Sequence, residues 1–588
     1  MPKKIGAGAS HTRQPRWLAL RYTQPGTAAF FLPFSQEAGN CAGSFAQVAV
    51  RGAYFGIKWA ALGLPLVALG LGLGGCAEPT TPALGEAGPV FSADSGTVRV
   101  AAGAHYARRG WLWQRLWGRH YRPLWATPVS APVLRLGQLG LTPLRAGGSF
   151  QTNTLRLRTP DGRIFVLRSV DKDLSRSLAS GWLARLAAPV LRDQTCAAPP
   201  YGAYVATVLA RAAGVLHTNP RLVYLLPDAA LGPWRTRFRP ALYLLEERPA
   251  NDQSHAASFG RARRVVGSDS MLRQVLRGPG AHLAPRAYLR ARLLDLLVGD
   301  WSRRADQWRW AAFVGPGGTV FLPIPRDRDQ AFFRFDDGWL TRFVSWVQPR
   351  YQTFNASLVP TDVGPLTTTA RPLDHTALAL LPEAVFVAEA DSLRRRLPEA
   401  VLAQALQAAP TEVRARMAQE LLPALRARRD ALPLAARRYY EVLQQEAVVT
   451  GTDAAERFEL TGLGPGRLRL RVFARRPARP DSLLGTQVYD VRRTTRLSLY
   501  GLGGKDEFTL SGRLAPGFGV HLYGGAGRNV FLQTDIMQPA GPGFTIYPGP
   551  ADDLVQASHT VRVVPGTLAP ATAAAWVASQ YRLQLGSR

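Results

Sequence analysis

The sequence predicts an α+β fold: a mixed domain of strands and helices over residues 98–448, followed by an all-β, sandwich-like module over 449–588. Three observations predict it. Strand-like alternation and long apolar helical runs are interspersed up to about residue 448. Residues 381–448 then read as helical, with Arg- and Ala-rich amphipathic stretches. After Gly451-Thr-Asp453 only short alternating runs remain, such as Arg467-Leu-Arg-Leu-Arg-Val-Phe473, separated by Gly/Asp turns. Across 588 residues, 56 Gly and 45 Pro signal many turns, and the 46% hydrophobic content between them supplies folded cores.

Ahead of these domains lies an export pattern. Arg51 and Lys58 precede an apolar run from Trp59 to Leu73, and Gly74-Gly75-Cys76 follows. A basic segment, an apolar stretch too short for an ordinary membrane span, and small residues before a cysteine make a lipoprotein signal over 51–76. Cys76 is the lipidation site this predicts; an uncleaved membrane helix is the alternative. Residues 77–97, opening Ala-Glu-Pro-Thr-Thr-Pro, read as a flexible tether. Residues 1–50 do not suit such a signal and read as a mis-extended or unstructured start, with an internal start expected near Val48 or Val50. The pattern implies a bacterial cell envelope location at the outer membrane, on its periplasmic or surface face, with the membrane as partner through the lipid and an envelope protein as a further partner. The other cysteines, Cys41 and Cys196, make no disulfide framework, and no CxxC pair suggests zinc.

Within the mixed domain, Val98–Val129 is rich in aromatic residues, and the spacing of Trp113 and Trp117 predicts a helix with one face on a core. Phe150–Arg158 and Ile164–Val170 predict two strands joined at Asp161-Gly162, a strong turn pair. Residues 200–216 predict a helix; 221–226 and 241–245 predict strands, the second running into Glu246-Glu247. Residues 285–298 predict an apolar helix, and strands are expected at 308–314 and 319–324. Pro398, Pro410, Pro423 and Pro433 are expected to break the helical region.

Two segments concentrate carboxylates where the chain should turn: Gly299-Asp300-Trp-Ser302-Arg303-Arg304-Ala-Asp306-Gln307, and Pro325-Arg-Asp327-Arg-Asp329. A hairpin between them would deliver both turns to one sheet edge, an arrangement suited to magnesium and phosphate because Mg²⁺ takes hard oxygen ligands. A structural network, with Arg303, Arg326 and Arg328 bonding the carboxylates, is the competing reading.

The element order and these motifs resemble the atypical kinases: the spore-coat CotH kinases, the HipA-like kinases and the phosphatidylinositol kinases, over roughly residues 130–445. The resemblance implies a two-lobed kinase-like domain. Gly147 and Gly148 would stand in the phosphate-covering loop, and Arg168 or Lys172 where a nucleotide-binding Lys belongs. Glu246 and Glu247 would form the hinge that meets the adenine. Gln307, Asp327 and Asp329 would hold metal, with Mg and ATP as the implied cofactors. The pattern's catalytic Asp is Ser302 here, its His is Arg304 and its Asn is Gln307. A serine cannot accept a hydroxyl proton near neutral pH as a carboxylate does. Asp300 or Asp306 is therefore the substitute base in an active version, beside Ser302 and Arg303, and an inactive pseudokinase is the other outcome.

The net charge of +31, from 72 Lys+Arg against 41 Asp+Glu, favours an anionic partner. No nucleic-acid motif is present, so nucleic acid is not expected. A non-catalytic envelope assembly or surface-binding protein, recognising anionic lipid or polysaccharide, is the alternative function. The Gly-rich turns at 499–508 and 523–531 resemble degenerate Ca²⁺-binding nonapeptides, and Arg528-Asn529 in place of an Asp predicts turn chemistry without calcium. No GxSxG motif suggests a hydrolase.

Overall fold

The computed structural model describes residues 90–581, apart from 93–95, 148–151, 178–180, 359, 477–478, 514–517, 535–542, 552, 558–560 and 567–568. The export signal with Cys76, Cys41, the 1–50 start, most of the tether and Gly148 lie outside the described residues. Among the described residues no helix is long and apolar enough to cross a membrane.

The protein is α+β, as the interleaved patterning predicts. An eight-stranded sheet forms from β1 (Val90–Ser92), β2 (Thr97–Ala101), β3 (Pro128–Leu134), β4 (Thr142–Gly147), β5 (Thr154–Arg158), β6 (Ile164–Ser169), β7 (Arg221–Leu225) and β8 (Ala241–Glu247). Their order is β1-β2-β3-β7-β8-β6-β5-β4, with only β3 and β7 parallel. The β5–β6 turn falls at Asp161-Gly162, where Gly162 takes φ +85°, a conformation that costs glycine little. Pairing sets Arg156 opposite Val166, and Val166 opposite Glu246. Side chains alternate faces along a strand, so Arg156, Arg168, Glu246 and the following Arg248 share one face of this sheet.

A second sheet follows: β9 (Arg264–Gly267), β10 (Ala281–Leu283), β11 (Trp308–Gly315) and β12 (Gly318–Pro325), in the order β10-β12-β11-β9. The hairpin of β11 and β12 pairs Trp308 with Pro325 at its base and Gly315 with Gly318 at its tip. Beneath it runs the helix Pro285–Val298, buried on nearly every side. Burial of its C-terminal half explains the apolar run from Leu293 to Val298 that only Asp295 interrupts. It also makes its two buried charged residues, Arg292 and Asp295, conspicuous, whereas Arg286 and Arg290 reach out to Glu389. Both are satisfied: Arg292 donates to Asp295 (3.0 Å) and to Asp374 (3.0 Å), and Tyr288 donates to Asp374 (2.7 Å).

The helical region contains Glu383–Arg396, Glu399–Gln407 and Arg414–Gln445. Pro398 and Pro410 stand just before new helices, as expected. Pro423 and Pro433 do not break anything; both lie inside the 32-residue helix. Pro423 is exposed and Pro433 half-buried, so the carbonyls they leave unpaired are within reach of water. The opposite face is held by a buried row including Leu421, Leu425, Leu432 and Ala436. Mid-helix, buried Arg428 donates to the carbonyls of Leu296 (2.7 Å) and Leu297 (3.0 Å), capping the end of the Pro285–Val298 helix.

The long helix passes directly into β13 (Glu446–Thr450), the first strand of a two-sheet module. One sheet is β13-β17-β19-β21-β23, with β17 (Arg496–Tyr500), β19 (Gly519–Tyr523), β21 (Phe544–Tyr547) and β23 (Arg562–Val563). The other is β16-β15-β14-β18-β20-β22, with β14 (Glu456–Leu463), β15 (Arg467–Ala474), β16 (Ser482–Asp490), β18 (Glu507–Arg513), β20 (Val530–Gln533) and β22 (Leu554–Gln556). The two faces enclose one apolar core, as in a sandwich. The pairing is a finding beyond the sequence reading: from β17 on the chain alternates between the sheets, and the successive strands within each pair in parallel. This is a solenoid winding. Its ladders recur at intervals of 23 and 24 residues: Tyr500, Tyr523 and Tyr547 stack with centroids 4.4 Å apart. The described Gly/Asp turns are tied to one another by side-chain hydrogen bonds. Asp506 accepts the Glu456 N–H (2.8 Å), Asn529 accepts that of Asp506 (3.1 Å), and Asp553 accepts that of Asn529 (2.8 Å). A final helix, Ala573–Tyr581, ties the module back to the helical region: Trp576 packs on Tyr500, and Tyr581 bonds Thr376 (2.7 Å).

Candidate functional site

The site lies where the face of the eight-stranded sheet meets the base of the β11–β12 hairpin. The Pro285–Val298 helix stops at Gly299, whose φ of +70° is the left-handed cap that lets the chain reverse. That reversal delivers Asp300. One Asp300 oxygen accepts the Ser302 N–H (3.1 Å) and hydroxyl (3.0 Å), and the other takes Arg303 (2.5 Å). Arg303 is fully buried, also bonds Asp295 (3.1 Å), and donates to the carbonyl of Arg326. The next turn is closed by Gln307, whose side-chain oxygen accepts the Arg304 N–H (2.9 Å), while Arg304 pairs with Asp306 (3.0 Å).

After β12 the chain runs through Asp327, a non-glycine residue at φ +65°. Asp tolerates that region better than most side chains, and such backbone is often found at functional sites. Asp327 pairs with Arg168 of β6, and Asp329 with Lys172 just beyond it. Arg168 also holds Glu246 of β8 (2.6 Å). Burial pushes the Asp329 carboxyl up, but Lys172 and Arg168 outweigh it and hold it below the usual carboxylate range. Burial raises the Asp300 carboxyl; Arg303 opposes this, and nearby Asp295 and Asp329 add to it.

Thus Arg168, Lys172, Glu246, Asp300, Ser302, Arg303, Gln307, Asp327 and Asp329 converge. Gly147 ends β4 two strands from Arg168, and its carbonyl accepts Arg237 (3.0 Å). Glu247 turns away from the cluster, pairing with His255 (2.7 Å), because adjacent strand residues face opposite ways. Asp306 sits with Arg304 at the rim, half-buried. Sequence reasoning missed Asp295, fully buried, which bonds Arg292, Arg303 and Arg328 (3.3 Å). A lone Asp inside Leu-Leu-Asp-Leu-Leu-Val was the available signal, since a carboxylate there must be paired. The arginine network weighed as an alternative is therefore present as well, centred on Asp295.

Magnesium is the ion that the resemblance to atypical kinases implies for Gln307, Asp327 and Asp329. The residues as arranged do not fit a resident metal. Asp327 and Asp329 are each neutralised by a cation, and the Gln307 oxygen is engaged by Arg304. Among the described residues no group of three or more His, Cys, Asp or Glu could share an ion. As a base, Asp300 is fully engaged, and Ser302 donates its proton rather than accepting one.

No family model matches the chain, and no curated protein does. Among solved structures, the Helicobacter pylori proinflammatory kinase CtkA is similar over 53% of this chain and 98% of its own, with 8% identity and a TM-score of 0.25. The Rio2 kinase–ADP/Mg²⁺–phosphoaspartate complex from Chaetomium thermophilum is similar over 50% and 74%, with 15% identity and a TM-score of 0.26. WaaP in complex with acyl carrier protein is similar over 46% and 88%, with 14% identity and a TM-score of 0.19. The likeness is coarse, and the chemistry of this chain stands on its own residues.

Proposed function

We propose that the chain is a cell-envelope lipoprotein whose mixed domain is kinase-like and binds a phosphate-bearing ligand, such as a nucleotide, without a competent base for phosphoryl transfer. The observation that carries this reading is the double ion pair: Arg168 at the end of β6 with Asp327, and Lys172 just past β6 with Asp329, two cations at the end of one strand set against two carboxylates of the loop that follows β12. Cations so placed are suited to phosphate oxygens, for which Arg offers a bidentate fork and Lys a point charge. The inactive reading is supported by Ser302, whose hydroxyl donates to Asp300, and by the full engagement of Asp300 with Arg303.

Transfer of labelled phosphate from ATP tests the inactive reading. The wild-type chain is expected to transfer none; turnover above a protein-free control contradicts it. For binding, replacing Asp327 and Asp329 together by Asn releases Arg168 and Lys172. Metal-independent phosphate binding is then expected to tighten, and any magnesium dependence to vanish. Unchanged binding in the double variant would remove the site assignment.

One observation favours the second reading, a surface-binding protein. Trp111, Trp339 and Trp346 are 74%, 58% and 77% exposed, and Arg115 lies 4.9 Å over the Trp339 ring. Exposed tryptophan beside arginine suits an anionic lipid surface. Sedimentation with anionic vesicles that falls steeply with salt and ignores ATP supports that reading; no sedimentation at low salt contradicts it.

A further inference from the structure

The Asp327 and Asp329 pairs account for Arg168 and Lys172. They leave a second set of arginines beside them. On the sheet face, Arg156 of β5 and Arg248, just past β8, lie to one side of Arg168 and Glu246; the Arg248 N–H continues the ladder to Ile164 (2.8 Å). On the facing hairpin, Arg309 of β11 pairs with Ile324, and the Arg326 N–H continues that ladder to Gln307 (2.9 Å). Two-residue alternation puts Arg309 and Arg326 on one face of the hairpin. Opposite Arg309 the partner strand has Gly267, where an added Cβ would stand 3.4 Å from the guanidinium.

These four arginines sense one another. Burial, then Arg309, Arg168 and Arg248, disfavour charge on Arg326. Burial, then Arg309 and Arg156, disfavour it on Arg248, and burial, then Arg156, on Arg309. Among the described residues none of the four has a carboxylate ion pair. Of the carboxylates near them, Glu246 and Asp327 pair with Arg168, and Asp306, which favours charge on Arg309, pairs with Arg304. Backbone contacts are few: Arg309 reaches the Trp308 carbonyl (3.1 Å), Arg326 that of Asp306 (3.1 Å), and Arg326 Nε is buried with no acceptor. Arginine does not deprotonate in proteins, so like charges held half-buried and unpaired cost stability unless an anion joins them. All four remain half-buried rather than sealed, which leaves them open to a ligand.

We propose that Arg156, Arg248, Arg309 and Arg326 form a second anion subsite next to Arg168 and Lys172, so that the seam takes a compact, multiply phosphorylated ligand rather than an adenine nucleotide. The inference rests on the phosphate-binding reading of the seam and specifies its ligand class. The hinge reading of Glu246-Glu247 would set an adenine beside this face. Four guanidiniums there favour phosphate over an uncharged base.

Calorimetric titration of the full chain with tripolyphosphate and, separately, with ATP tests it, because the two share a triphosphate and differ in the nucleoside. Tripolyphosphate is expected to bind at least about tenfold tighter. Arg248→Gln and Arg309→Gln are each expected to weaken tripolyphosphate about tenfold and, without ligand, to raise the unfolding temperature by relieving repulsion. The exposed control Arg395→Gln should do neither. If ATP binds tighter, or if the two variants lower the unfolding temperature and leave affinity unchanged, the arginines are structural and the inference fails. In that case a loss of binding in Lys172→Gln preserves the phosphate-binding reading alone. If neither anion binds, or if Arg395→Gln weakens binding equally, both readings fall.

Discussion

Single residues in this protein hold charge in places where removing one partner has predictable consequences. Asp295 is fully buried and bonds three arginines. Asp295→Asn keeps its shape and removes its charge, leaving Arg292, Arg303 and Arg328 under-compensated. The expected loss is about 3–5 kcal/mol in urea unfolding, the usual cost of breaking a buried pair from one side; a loss under about 1 kcal/mol would show the network to be dispensable. In the solenoid, burial pushes Asp506 up to about 9, against an ordinary 3.8, and Glu456 up to about 7, against 4.5. Both folded values are raised, so the folded state binds more protons than the unfolded. Their contribution is full below the unfolded values and is lost as pH rises through the folded ones. Unfolding temperature is therefore expected to decline between about pH 4 and 9 on their account. Asp506→Asn, which can still accept the Glu456 N–H, should leave only the decline that ends near pH 7. An unaltered profile above pH 7 would contradict the assignment to Asp506.

At the scale of elements, local pattern and tertiary environment compete. Pro423 sits exposed inside the 32-residue helix, so Pro423→Ala restores a hydrogen bond and removes a clash. A gain of about 1–3 kcal/mol in equilibrium unfolding is expected; a loss would mean that the proline sets a bend the packing needs. The same competition explains what the sequence made legible. The β5–β6 hairpin, the 285–298 helix and the β11–β12 hairpin were readable because period, length and turn residues agree within each. The helix breaks expected at Pro423 and Pro433 do not occur because the buried face on the other side of the helix decides the matter. The solenoid was hidden because its ladders recur across more than twenty residues, with Asp506, Asn529 and Asp553 differing in identity while sharing a hydrogen-bonding role. At the site, the residues of both carboxylate segments and of β6 were legible. Their partners were not: the pairing of Arg168 with Asp327 and Glu246 depends on how two sheets meet, and the four arginines beside them are inconspicuous in a chain this rich in arginine.

The whole molecule joins a mixed α+β domain to a solenoid through one continuous helix–strand passage at Gln445 and Glu446. Upstream of the described residues, the lipoprotein reading makes Cys76 the anchor. Cys76→Ser is expected to move the chain from the membrane pellet to the soluble fraction and to abolish incorporation of a labelled fatty acid. Retention of either property would point to a different mode of attachment. The functional account depends on the cations at and just past the end of β6 meeting the carboxylates that follow β12, and on a phosphate entering between them. The most direct test is the unfolding temperature of the full chain against rising tripolyphosphate, for the wild type and for Lys172→Gln. A ligand that binds only the folded state stabilises it by mass action. The account predicts a concentration-dependent rise in the wild type that is much smaller in Lys172→Gln. No rise, or an equal rise in both, would contradict it.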